Sequence, residues 1–165
     1  MDRRLFLLTA LGLAAAAGCG SAPPLANAQP SADVLATALL DALARADRPR
    51  LEALALTAQE FRDHVWPDLP AARPERNLPF SYVWGDLHQK SNLRLSETLE
   101  QHGGKRYQLR GTRFGGETRY KNYLVHRGST LDVVDAAGTA ISLAVCGSFL
   151  EKDGVWKVFS YVVDD

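Results

Sequence analysis

The sequence predicts an α+β fold, with N-terminal helices packed on a curved antiparallel β-sheet. Three observations carry that prediction. Apolar residues recur at helical spacing over about residues 32–64 and again over 80–102. From Tyr107 onward the apolar period shortens to two, and glycines punctuate the runs. The chain then closes on residues 139–163, where Ile141, Leu143, Val145 and Phe149 alternate with Ala140, Ser142, Ala144, Cys146 and Ser148. Asp153-Gly154 favours a hairpin turn there, and a second strand rich in β-branched and aromatic residues follows. Helices gathered in one half of a chain and strands in the other mark the α+β class.

With 165 residues, zero formal net charge and 46% hydrophobic residues, the chain suits one domain plus appendages. There is no basic run and no Lys/Arg stripe interleaved with aromatics, so no nucleic-acid partner is expected. Residues 1–18 begin with Arg3 and Arg4 and continue as an uncharged apolar run to Gly18, which suits an export signal and is too short to span a bilayer comfortably. Arg3-Arg4-Leu5-Phe6-Leu7 resembles the twin-arginine export motif, with Asp2 where Ser or Thr is usual; a plain positive start is the alternative. Ala16-Ala17-Gly18-Cys19 resembles a bacterial lipobox, in which Cys19 becomes the lipidated first residue and the membrane is the partner. Ala16 departs from the large aliphatic residue usual at that place. The rival processing site is Ala26-Asn27-Ala28, which would release a soluble protein from Gln29. Either way the expected location is the bacterial cell envelope, lipid-anchored or periplasmic. With Cys19 lipidated, Cys146 has no partner and is expected to behave as a small buried hydrophobe.

Residues 19–31 are rich in Pro, Ala and Ser and read as a flexible tether, with the domain proper over 32–165. Ser31 offers an N-cap for a helix ending near Ala46, before Arg48-Pro49. Pro49 opens a second helix, and Thr57-Ala58-Gln59-Glu60 forms a capping box for a third that runs through His64 to Trp66-Pro67. Residues 68–79 carry three prolines and no apolar period: a long loop, read either as a lid with Trp66 and Trp84 at its ends or as chain pinned to the core. Residues 80–102 form the longest helix, with Asp86 and Lys90 spaced for an ion pair and Gly103-Gly104 at its end. Strands are expected over 107–114, 119–127, 130–135, 139–150 and from 155, with turns at Gly115-Gly116, Gly128-Ser129 and Ala137-Gly138, giving a five-stranded meander.

The order of these elements, together with the closing phrase Asp153-Gly154-Val155-Trp156-Lys157-Val158 and its continuation to Tyr161, resembles the NTF2-like superfamily. That resemblance, over about 32–163, implies a cone-shaped fold, dimers and, in catalytic members, an Asp/His pair or a Tyr/Asp oxyanion site inside the cone. The fold hosts enzymes and binding modules alike.

No acid-base set of that kind is evident in the sequence, so no catalytic residue is expected. Asp33, Asp41, Asp86 and Glu97 fall on polar helix faces, and no acid is paired by pattern with His126, which shares strand parity with Leu124. His64, His88, His102 and His126 lack i,i+3 or i,i+4 histidine partners, so neither a metal nor another cofactor is expected. The pocket candidates are Trp66, Tyr82, Trp84, His88, Tyr123 and His126. Neither side of 139–150 carries a charge. Its small side suits another subunit's sheet in a homodimer, or cover from its own chain. The expected function is a non-enzymatic envelope module that binds a small apolar ligand or a protein partner. The alternative is a small-molecule isomerase, dehydratase or hydrolase.

Overall fold

A computed structural model describes residues 22–163. Arg3, Arg4, the apolar run and Cys19 lie outside the described residues. The fold class is α+β, with four α-helices, α1 (Ala32–Ala44), α2 (Arg48–Leu54), α3 (Ala58–Glu60) and α4 (Phe80–His102), preceding seven strands.

α1, α2 and α3 each start where a side chain satisfies a free backbone donor, whereas α4 starts after Pro79 without a side-chain cap. Ser31 Oγ accepts from Val34 N at 3.2 Å, and Asp47 Oδ1 accepts from Arg50 N at 3.0 Å with Pro49 in the first turn. The predicted capping box is present: Thr57 Oγ1 accepts from Glu60 N, and Glu60 Oε2 accepts from Thr57 N at 2.8 Å. From Glu60 the chain continues as a π-helical turn over Phe61–Val65, then as three 3-10 turns that give the proline-rich stretch its shape. The second strong helix, α4, carries the predicted Asp86–Lys90 pair at 2.8 Å.

The strands are β1 (Tyr107–Arg113), β2 (Gly116–Arg119), β3 (Leu124–Arg127), β4 (Thr130–Asp135), β5 (Ala140–Leu143), β6 (Ser148–Lys152) and β7 (Val155–Ser160). They form two antiparallel sheets, ordered β1-β4-β5 and β2-β3-β6-β7. The register runs through from one sheet to the other: Arg113 faces Thr130, and Gly116 then faces Arg127. Gly115 and Gly128, expected as turns, are therefore kinks inside two long paired strands. The hairpin falls instead at 120–123, closed by Tyr120 N donating to Tyr123 O at 2.9 Å. Gly128 has φ +59, and a Cβ there would stand 3.4 Å from the Gly115 backbone, so the kink needs glycine. The expected strand 139–150 breaks in the same way. Residues 144–147 lie between β5 and β6, and a Cβ on Gly147 would fall 1.5 Å from Val162 O. The chain's own C-terminal segment thus passes against the backbone at Gly147, while Ala140, Ser142 and Ala144 of the small side stay exposed.

Helices cover both faces of β6 and β7, where helices on one face were expected. Phe149 and Val158 pack with Leu35, Leu39 and Leu43 of α1, whereas Leu150 packs with Phe61 and Val65. The route of the chain explains this. After α2, Leu56 N donates to Val158 O at 3.1 Å, so the chain runs along the outer edge of β7 and passes from one face to the other. Residues 25–29, expected as part of a flexible tether, are seated on the same region. Leu25 packs on the Phe61 cluster, and Gln29 exchanges two backbone hydrogen bonds with Trp156, at 2.7 and 2.8 Å.

At the crossing lies a buried ion pair. Lys157 Nζ donates to Glu60 Oε1 and Oε2 at 3.0 and 2.8 Å, and Ala26 N donates to Oε1 at 2.7 Å. One carboxylate therefore holds a helix start, the centre of β7 and the N-terminal segment.

Candidate functional site

Between α4 and the second sheet opens a cleft of about 430 Å³. Its position follows from strand parity. Thr118 and Tyr120 on β2 and the following turn, and Val125 and Arg127 on β3, point to one side; Val83, Asp86 and Leu87 meet them from α4. Phe61, Leu69 and Phe159 complete an apolar floor. The volume falls within the range of small-molecule sites.

The floor is held by aromatic contacts. Phe61 stands 5.2 Å from Trp84, 6.0 Å from Phe80 and 6.2 Å from Phe159, all tilted. One row across the strands, Gly116–Arg127–Ser148–Ser160, supplies the polar end. Ser148 and Ser160 are buried, and Arg127 is exposed.

None of the six pocket candidates lines this cleft. Trp66 packs edge-on against Phe80, with ring centroids 5.5 Å apart. Tyr82 is 66% exposed on the outer side of α4. Trp84 and His88 stack at 5.1 Å beside a small pocket of about 40 Å³, and Asn92 Nδ2 lies 2.9 Å from His88 Nε2. Tyr123 is buried, stacks on Tyr120 and donates its hydroxyl to Val65 O at 3.2 Å; burial, then Tyr120 and Asp68, push its pKa well up. It ties β3 to the π-helical turn.

His126 lies on the opposite face from the cleft. Its Nε2 stands 2.8 Å from Glu151 Oε2, and its ring stacks on Trp156 at 4.6 Å with Phe114 at 4.9 Å. The histidine thus meets a carboxylate, a pairing suited in kind to proton transfer. The pair lies near the surface, with side chains 13% and 31% exposed.

Sequence reasoning missed Val125 and Arg127 because parity was followed through His126, one position out of phase. Tyr123 held the signal: Val125 and Arg127 share its side of the strand. Phe159 was hidden in the closing strand, where cleft wall and core read alike.

Opposing influences act on the buried pair beneath the floor. Burial is the largest influence on Glu60 and opposes its charge, but hydrogen bonds from Lys157, Thr57 and Ala26 outweigh it and hold the pKa below the ordinary range. Burial lowers the Lys157 pKa, with Glu60 opposing. Burial also pushes the Cys146 thiol up to about 12, against a contact from Ser129.

Compared with protein-family models, with curated proteins and with solved structures, the chain matches none.

Proposed function

We propose that the chain is an exported, envelope-held domain that binds a small, largely apolar ligand between α4 and the second sheet. The observation that carries this reading is the cleft of about 430 Å³ floored by Phe61, Val83, Leu87, Val125 and Phe159. Acid–base catalysis, the second reading, draws support from the His126–Glu151 distance of 2.8 Å. It is disfavoured because the pair sits on the other face, and the imidazole is already clasped by Trp156 and Phe114. The Cys19 lipid anchor, with Ala26-Asn27-Ala28 as the rival processing site, belongs to the same proposal. Mass analysis of the mature N-terminus tests it: a chain beginning at Gln29 rules the anchor out.

Ligand binding is tested by calorimetric titration with octan-1-ol. Wild type should bind with a dissociation constant below roughly 1 mM. Val83→Trp, which fills the cleft from α4, should abolish binding while leaving the urea midpoint near wild type. No binding by wild type, or undiminished binding by a folded V83W, overturns the reading.

A further inference from the structure

We infer that the ligand of this cleft is an anionic amphiphile, a small carboxylate with a hydrocarbon tail, whose head group is received by Arg127, Ser148 and Ser160. This rests on the binding reading above and adds the chemistry of the ligand. Arg127 faces Ser148 directly across β3 and β6, and Ser148 faces Ser160 across β6 and β7, so one row of the sheet places all three side chains on the cleft side. Val125, two residues along β3, begins the apolar floor. Polar and apolar portions of the cleft are therefore separated along the strand direction.

The charges select the sign of the head group. Asp86 and Lys90 also line the cleft, but they neutralise each other at 2.8 Å. Arg127 forms no ion pair among the described residues. A planar guanidinium matches a carboxylate through parallel N–H donors. Ser148 is 9% exposed, and its hydroxyl has no hydrogen-bond partner among the described residues. A hydroxyl so placed at the wall of a cleft is open to the cleft, where a ligand oxygen can take the place of water. Ser160 Oγ accepts from Val162 N at 3.0 Å, which leaves its own O–H free to donate.

The test uses the full-length chain and three probes of equal chain length: octanoate, octan-1-ol and octylammonium. Each is titrated calorimetrically into wild type, Arg127→Gln and Ser148→Ala. Octanoate should bind wild type about tenfold or more tighter than octanol, the effect of one charge-assisted contact. Arg127→Gln should erase that preference and leave octanol affinity unchanged, and Ser148→Ala should reduce it severalfold. Equal binding of octanoate and octanol overturns the anionic inference but leaves the apolar-ligand reading standing. Tighter octylammonium binding, or an octanoate preference that survives in Arg127→Gln, overturns it likewise. Failure of all three probes to bind wild type overturns both. Urea midpoints near wild type confirm that the variants are folded.

Discussion

Lys157→Met removes the cation from the centre of β7 and leaves the Glu60 carboxylate, 8% exposed, with only the Thr57 and Ala26 amides to stabilise its charge. Lys157 is fully buried, so water does not replace the missing partner without opening the structure. Removal of one member of a buried ion pair costs about 3–5 kcal/mol. That is a large share of the roughly 5–15 kcal/mol that holds a domain together. A second substitution isolates the cause. Glu60→Gln placed on Lys157→Met removes the stranded charge, but its amide then accepts from one backbone donor and turns an NH₂ toward the other. The double variant should regain roughly 1–3 kcal/mol relative to Lys157→Met alone, the difference between a stranded charge and a stranded neutral group. Equilibrium unfolding in urea, followed by tryptophan fluorescence, measures both. A Lys157→Met loss under about 1 kcal/mol, or a double variant less stable than the single, refutes the idea that the pair is desolvated and mutually dependent.

Acid should act through the same carboxylate. Its folded pKa lies below the unfolded value, so its contribution is present above the unfolded value and is lost as pH falls through the folded one. The urea midpoint should drop on acidification through and below the ordinary glutamate range, and less steeply in Glu60→Gln; equal slopes contradict this. Removing residues 1–28 should destabilise the domain by about 2–4 kcal/mol relative to a chain beginning at Pro23, since it deletes the Leu25 packing and the Ala26 bond to a charged acceptor. Matched urea curves for the two chains decide it. Gly147→Ala should be destabilising by about 3 kcal/mol or more, because its Cβ would overlap the Val162 carbonyl; a melting temperature near wild type goes against that contact. The Cys146 thiol, fully buried with its pKa pushed up to about 12, should resist a thiol reagent in buffer and react in urea. Rapid labelling at Cys146 itself, located by peptide mass mapping, contradicts its burial.

What the sequence made legible was local. The Ser31 cap, the Thr57–Glu60 capping box, the long helix with its Asp86–Lys90 pair and the Asp153-Gly154 hairpin each depend on residues a few positions apart. Glu60 shows where this stops: its capping role was readable, but its partner Lys157 lies 97 residues away. The kinks at Gly115 and Gly128 were misread as turns because a glycine that bends a strand and one that reverses it leave the same mark. Helices on both faces were hidden for a related reason. Lys157 interrupts one face of β7, and nothing local says whether such a lysine reaches water or a carboxylate. The cleft inherited the error, since its polar row became a row only once β2, β3, β6 and β7 were in register.

The outer rim of β7 has a consequence for behaviour in crowded solution. Gln29 takes up the main-chain groups of Trp156, and Leu56 takes up the Val158 carbonyl. A strand rich in Val, Trp and Phe with open amides and carbonyls would template pairing with another molecule. Here two short segments occupy those groups before a stranger can. A chain trimmed through Gln29 should therefore be prone to self-association, through renewed access to this strand edge.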